Sequence, residues 1–287
     1  MTISIIVCST KPTISNSFEQ NIKDTIGTVD YEMVLVDNSL RKYSIFEAYN
    51  KGVEIAKGEY LCFVHEDVLF HSWNWGQKLL DEFEKHKDVG MMGVVGGHVL
   101  NKVSTCWWYT PERRGIIRQG YIRNGKYESR LINFTWKNDN DKYVVSIDGV
   151  WMAIRKQLFA EISFDQTNYS GFHFYDMDIS MQIIAAGYKI MIIDIEIEHL
   201  SEGNVNASFY KNCIVFHKKW DYLLPVFSYL PTKEVFNRYN VSTLKKFSYH
   251  VYFKLSSVFF NETRGLVSYF QKLYSIINGA ISLKRRL

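Results

Sequence analysis

Two kinds of hydrophobic pattern alternate along the chain. Ile3 to Cys8, Tyr31 to Val36, Tyr60 to Val64 and Val89 to Val95 are short, nearly unbroken apolar runs, which predict strands covered on both faces. Between them the apolar residues recur at helical spacing. Ser15 to Ile26 brings Phe18, Ile22 and Ile26 onto one face, Ser44 to Ile55 does the same with Ile45, Ala48 and Val53, and a third helix spans about Trp73 to Lys87. Gly58 reads as the stop after the second helix. The order β-α-β-α-β-α-β predicts a largely parallel sheet with helices on both faces. From Gly96 to Lys142 the periodicity dissolves into Gly, Arg, Asn and aromatic residues, as hairpins and a long functional loop would. It returns at Tyr143 to Ile147 and in the apolar stretch around Trp151. A helix from Asp178 to Ala186 then ends at Gly187, and a last strand, Lys189 to Ile195, runs into Glu196-Ile197-Glu198-His199.

The apolar runs stop at polar groups: Cys8-Ser9-Thr10, Asp37-Asn38-Ser39, His65-Glu66-Asp67 and His199. Parallel strands would open all four on one edge, the edge where such sheets bind ligands. Three ionisable side chains in a row at the end of a buried strand are costly unless a site uses them. His65 and Asp67, two apart in extended backbone, point the same way and could give a nitrogen and an oxygen to one divalent cation. No Gly-x-Gly-x-x-Gly follows the first strand and no Gly-x-x-x-x-Gly-Lys-Ser/Thr loop occurs, which disfavours a dinucleotide dehydrogenase or a P-loop enzyme. An edge with carboxylates and no glycine cradle needs another way to hold phosphate, and a bound cation supplies one.

Composition changes the picture in three places. Aromatic residues make up 16% of the 287, more than one core readily takes, so some are candidates for stacking surfaces. Cys8, Cys62, Cys106 and Cys213 have no metal-type or CxxC spacing and read as reduced core residues of a cytoplasmic protein. Charge is the third. Lys211 to Leu287 holds 13 Lys and Arg against three Asp and Glu, whereas the first 210 residues hold 21 against 27.

The ordered motifs resemble those of the nucleotide-sugar glycosyltransferases of the GT-A fold, family-2-like. They are Val36-Asp37-Asn38-Ser39, Ala48-Tyr49-Asn50-Lys51-Gly52 ahead of Gly58-Glu59-Tyr60, Phe63-Val64-His65-Glu66-Asp67-Val68, Asp148-Gly149, and Tyr175-Asp176-Met177-Asp178 with Ala185-Ala186-Gly187-Tyr188. The resemblance implies an α/β fold, a Rossmann-like mixed sheet with helices on both faces, over residues 1–210, with 211–287 as a basic, mainly helical C-terminal extension. It implies a metal-dependent, inverting transfer of a sugar from a nucleoside diphosphate, UDP foremost, to a hydroxyl of a glycan or lipid-linked acceptor. Ser9 and Asp37 would hold base and ribose, with Asn50 and Gly52 beside the nucleotide. The family's Asp-x-Asp falls on His65-Glu66-Asp67, so that Asp67 binds Mn²⁺ or Mg²⁺ and His65 replaces the first Asp near the ribose. His199 would complete the metal shell. Asp176 is the implied general base, with Tyr175 in place of the usual Glu before it; Asp178 is the alternative base, and it also suits a helix N-terminus. Asp148 and Gly149 would touch donor or acceptor sugar, and Trp107, Trp108 and Trp151 could offer stacking surface.

The basic, aromatic-rich tail, as in Lys245-Lys246-Phe247-Ser248-Tyr249-His250, suits peripheral association with an anionic membrane on its cytoplasmic face. A homo-oligomer surface is the other use for it. Nucleic acid is not expected, because no such motif accompanies the charge. A nucleotidyltransferase and a non-catalytic sugar-binding protein are the competing classes. The first usually needs a Gly-rich loop that Ser9 to Ser15 lacks, and the second has no use for Asp67, Asp176 and His199 together.

Overall fold

A computed structural model describes residues 2–100, 106–110, 112–134, 142–203 and 206–229. In chain order the elements are β1 (Thr2–Ser9), α1 (Asn16–Thr25), β2 (Asp30–Asp37), α2 (Ile45–Ile55), β3 (Tyr60–Val64), β4 (Val68–Phe70), α3 (Trp75–Lys85), β5 (Val89–Gly93), β6 (Val95–Gly97) and β7 (Val99–Leu100). There follow β8 (Arg113–Arg123), β9 (Lys126–Phe134), β10 (Tyr143–Val144), β11 (Ser146–Ile147), β12 (Trp151–Arg155), α4 (Tyr175–Ala185), β13 (Lys189–Ile192), β14 (Ile197–His199), α5 (Ala207–Trp220) and β15 (Val226–Phe227).

The main sheet has the order β10-β13-β5-β12-β3-β1-β2. β1, β2 and β3 are parallel, with Ser9 opposite Asp37 and Val7 opposite Val64. The sheet is mixed rather than largely parallel, because β12 inserts antiparallel between β3 and β5, Trp151 facing Val64 and Met152 facing Gly93. A continuous apolar run carries no information about strand direction, so the sequence pattern could not show this. Strand alternation divides the core in two. Ile3, Ile5 and Val7 pack with Phe18, Ile22, Trp75 and Phe83 of α1 and α3. Ile6, Leu61 and Phe63 face the other way, toward Phe46 and Tyr49 of α2 and Met177 and Ile183 of α4.

The helix starts follow their capping chemistry. Ser15 accepts from the Phe18 amide, and Ser44 and Glu47 form a reciprocal capping box. Gly58 has a different use from the expected stop, since α2 ends at Ile55 and a Cβ on Gly58 would lie 2.6 Å from the Ser4 amide nitrogen. α4 begins at Tyr175, three residues earlier than the pattern indicated, which puts Asp176 in its first turn.

The segment that reads as irregular is in large part a second sheet, β11-β6-β8-β14-β4, with β9 paired to β8 as a long hairpin. Its strands pair over long sequence distances, so local periodicity does not reveal them. The boundary expected between residues 210 and 211 falls inside α5. Phe209, Phe216 and Trp220 of that helix lie in the same core as α2 and α4. Residues 230–287, with the expectations placed on Lys245 to His250, lie outside the described residues. No helix of the described residues is long and apolar enough to cross a membrane.

Candidate active site

β3 ends at Val64, and the next three residues turn onto the edge of the sheet before β4 begins. β14 runs antiparallel to β4 with His199 opposite Val68, and the Leu200 amide donates to the Asp67 carbonyl at 2.9 Å. That pairing carries His199 to Asp67 across more than a hundred residues of sequence, leaving its Nε2 3.5 Å from Asp67 Oδ1. From the other side, the amide of His65 donates to the Val150 carbonyl at 3.1 Å, which fixes the Asp148-Gly149 turn beside it.

One ligand atom each from His65, Asp67 and His199 lies within 4.8 Å of the others. Atoms about 2.0–2.3 Å from a shared ion stand up to about 4.5 Å apart, so the set fits a divalent cation with small adjustments. Its electrostatics fit as well. Burial alone would raise the Asp67 carboxyl, but hydrogen bonds from His199 and Ser201 and the nearby imidazoles outweigh it and hold Asp67 well below the usual range. His199 is raised by Asp67 despite its burial, while burial and His199 push His65 down to about 4, so that His65 is neutral at pH 7.

The three residues line a cleft of about 960 Å³. Asp176 lines the same cleft. Its Oδ1 accepts from the Met177 amide at 2.8 Å and its Oδ2 from the Gly149 amide at 3.2 Å. Burial and the neighbouring Asp148 outweigh these donors and push the Asp176 carboxyl up to about 7. A carboxylate tuned near neutrality is suited to take a proton. Asp148 is itself held in place, accepting from the Trp107 indole nitrogen at 3.0 Å and from the Val150 amide at 2.9 Å. Gly149 is a close-approach residue, because a Cβ there would lie 2.3 Å from the Tyr175 hydroxyl.

Other expected residues fall elsewhere. Trp151 is fully buried against Phe70 and Trp75 and offers no sugar surface. Asn50 is outside the cleft, bonded through its side chain to the backbone of Phe164 and to Gln166. Gly52 is where α2 meets β1, with room for no Cβ against Ile6. Asp178 is 1% exposed and accepts from Tyr169, Trp220, Gln182 and Lys219, so its carboxylate ties α5 to α4 and does not face the cleft. Asp37 is exposed at the end of β2, turned onto the Ser39 amide, while Asn38 beside it lines the cleft. Ser9 is buried, with its hydroxyl donating to Glu66.

The roles of three residues escape sequence reasoning. Glu66 accepts from the hydroxyls of Ser9 and Thr10 and so clamps the end of β1 to the end of β3. Trp107 anchors Asp148, and Phe172, 50% exposed, stands at the cleft beside His65 with ring centroids 5.3 Å apart. Glu66 stands in the ionisable run His65-Glu66-Asp67 and Trp107 among the candidate stacking rings, but neither clamp is visible locally, and no sequence signal marks Phe172.

This mixed sheet, with an acidic, histidine-bearing edge at the end of its third strand, is the GT-A architecture of nucleotide-sugar transferases. A family model described as Glycosyltransferase like family matches residues 4–219, about three quarters of the chain, and the chain belongs to that family, of the family-2 type. The streptomycin biosynthesis protein StrF of Streptomyces griseus is 29% identical over 167 residues, 56% of this chain and 54% of that protein. The chain thus spans about half the length of this curated relative. Among solved structures, S. aureus TarS 1–349 in complex with UDP-GlcNAc overlays with a TM-score of 0.50 at 13% identity, covering 97% of this chain and 79% of that one.

Proposed function

We propose that the chain transfers a sugar from a nucleoside diphosphate to a hydroxyl of a glycan or lipid-linked acceptor, with inversion at the sugar carbon and with the help of a divalent cation. The observation that carries this reading is the presence, in one cleft, of both the His65–Asp67–His199 set and the near-neutral carboxyl of Asp176. A cation bound by those three side chains would neutralise charge that grows on the departing diphosphate. Asp176 accepts the acceptor hydroxyl's proton while that oxygen bonds to the anomeric carbon and the bond from carbon to diphosphate oxygen breaks on the opposite face. Asp148, held by Trp107, raises the basicity of Asp176 and would contact a sugar hydroxyl. Asn38 and Thr10, at the ends of β2 and β1, line the part of the cleft assigned to the nucleotide, with Asp37 exposed at the end of β2 beside Asn38.

A UDP-sugar is the first donor to test, being the class bound by TarS, a protein of the same fold. The test is release of UDP from a panel of nucleotide sugars, with Mn²⁺ or Mg²⁺ and saccharide acceptors. Cation-dependent UDP release that needs Asp176 supports the reading. Pyrophosphate release from UTP and a sugar phosphate would replace it with nucleotidyl transfer. No UDP release from any donor by the folded chain would contradict it. Peripheral attachment to an anionic membrane through the basic tail is part of the same proposal, and vesicle sedimentation of the full chain against a chain ending at residue 229 tests it.

A further inference from the structure

Two residues at this corner of the cleft depart from the motif pattern that the sequence resembles: His65 stands in place of an Asp, and Tyr175 in place of a Glu. The fold makes them partners. Nε2 of His65 lies 2.7 Å from the hydroxyl of Tyr175. Tyr175 is 4% exposed, its ring held edge-on by Phe46 and Tyr49. The hydroxyl can stand where it does only because residue 149 has no Cβ.

With Nε2 engaged, the imidazole has its other nitrogen, Nδ1, left for a ligand. A neutral ring that gives the Nδ1 lone pair to a cation must carry its proton on Nε2. A hydroxyl can accept from that N–H, and it can equally donate to a bare Nε2 when no cation is bound. Tyr175 therefore satisfies His65 in both tautomers without adding a charge. The ring keeps its one proton throughout, and no other group has to take it up. A carboxylate at position 175 could only accept, and it would add a second negative charge close to Asp176 and Asp148.

We propose that Tyr175 is a positioning residue that holds His65 as a neutral nitrogen ligand, and that the resulting set of two imidazoles and one carboxylate selects transition cations over Mg²⁺. The proposal rests on the reading above that His65, Asp67 and His199 share a cation. Imidazole is a good ligand for first-row transition ions, whereas Mg²⁺ takes oxygen ligands and keeps its waters. Replacing one of two carboxylates by an imidazole removes the charge on which a hard cation depends, and divalent affinity should then follow Mg²⁺ well below Mn²⁺, with Co²⁺ above it.

The test is Mn²⁺ binding to the full chain in the presence of UDP, read from the paramagnetic resonance signal of free Mn²⁺, with Mg²⁺ and Co²⁺ as competitors. For the wild type, Co²⁺ should displace Mn²⁺ near parity, and Mg²⁺ only at roughly a hundredfold excess or more. Tyr175→Phe keeps the ring and removes the hydroxyl, and it should weaken Mn²⁺ by about tenfold to a hundredfold. In a His65→Ala background the same change should cost nothing further, because Tyr175 acts through His65. Competition by Mg²⁺ at parity, wild-type affinity in Tyr175→Phe, or an equal loss in both backgrounds would overturn the proposal. Should Tyr175→Phe fail to fold, His65→Asp decides: it should bring Mg²⁺ to within about tenfold of Mn²⁺, and an unchanged preference overturns the inference. Absence of any Mn²⁺ binding by the wild type would instead remove the cation reading itself.

Discussion

Replacing Asp176 by Asn should make the protein more stable at alkaline pH while ending transfer. Asp176 titrates near 7 in the folded chain, against about 3.8 for a free carboxyl. Below pH 4 both folded and unfolded chains hold its proton. Between pH 4 and 7 the folded chain holds it and the unfolded chain does not, so this group's contribution to stability is lost as pH rises through that window. About three pH units at ~1.4 kcal/mol each gives ~4 kcal/mol, and the water-facing side of the cleft lowers this to about 2–4 kcal/mol. Asn has one oxygen for the two amides of Met177 and Gly149, which costs roughly 1 kcal/mol at every pH. In urea denaturation the advantage of Asp176→Asn over wild type should therefore grow by about 2–4 kcal/mol from pH 4.5 to 8.5, starting slightly negative. Groups remote from Asp176 titrate alike in both chains and cancel, leaving Asp176 and its coupling to Asp148 as the difference. The rate limb should agree, with kcat/KM rising up to an apparent pKa near 7. A stability difference that stays constant with pH would refute the environment assigned to Asp176.

The remaining predictions separate the cleft from its scaffold. Asp67→Ala should abolish transfer and weaken cation-supported UDP binding in calorimetry by at least about a hundredfold, whereas Asp176→Asn should leave that binding intact; equal UDP affinity in Asp67→Ala would count against the cation set. Trp151→Ala should cost about 3–5 kcal/mol in denaturation, because the ring is fully buried; a stable variant that loses saccharide binding would restore Trp151 to the site. Lys219→Met leaves Asp178 buried without its counter-charge, 2.9 Å away in the native chain, and should cost about 2–4 kcal/mol and loosen α5 in hydrogen exchange. A loss under about 0.5 kcal/mol there would show that the neutral donors around Asp178 suffice.

Much of the first half was legible from residue order. The caps at Ser15 and Ser44, the strands β1 to β3 and the polar residues at their ends all follow from local chemistry. Placement of side chains by local spacing failed where a partner lies far off in sequence. Asp178 reads as an alternative base until α5 brings Lys219 and Trp220 onto it. Asn50 reads as a nucleotide contact, yet its partners come from the turn at Phe164 to Gln166. Trp151 reads as an aromatic platform, but its strand lies in mid-sheet against α3. Conversely, His65 and Tyr175, two separate oddities in the sequence, become one hydrogen-bonded pair only in three dimensions. Nothing within a few residues of either announces the other.

The position of a bound cation decides most directly between these readings of the cleft. Crystals grown with UDP and Mn²⁺ should show an anomalous scattering peak among His65, Asp67 and His199, with diphosphate oxygens completing its shell and Asp176 left facing the open cleft. An empty edge, or an Asp67 carboxylate turned inward onto a protein partner while UDP is bound, would contradict it.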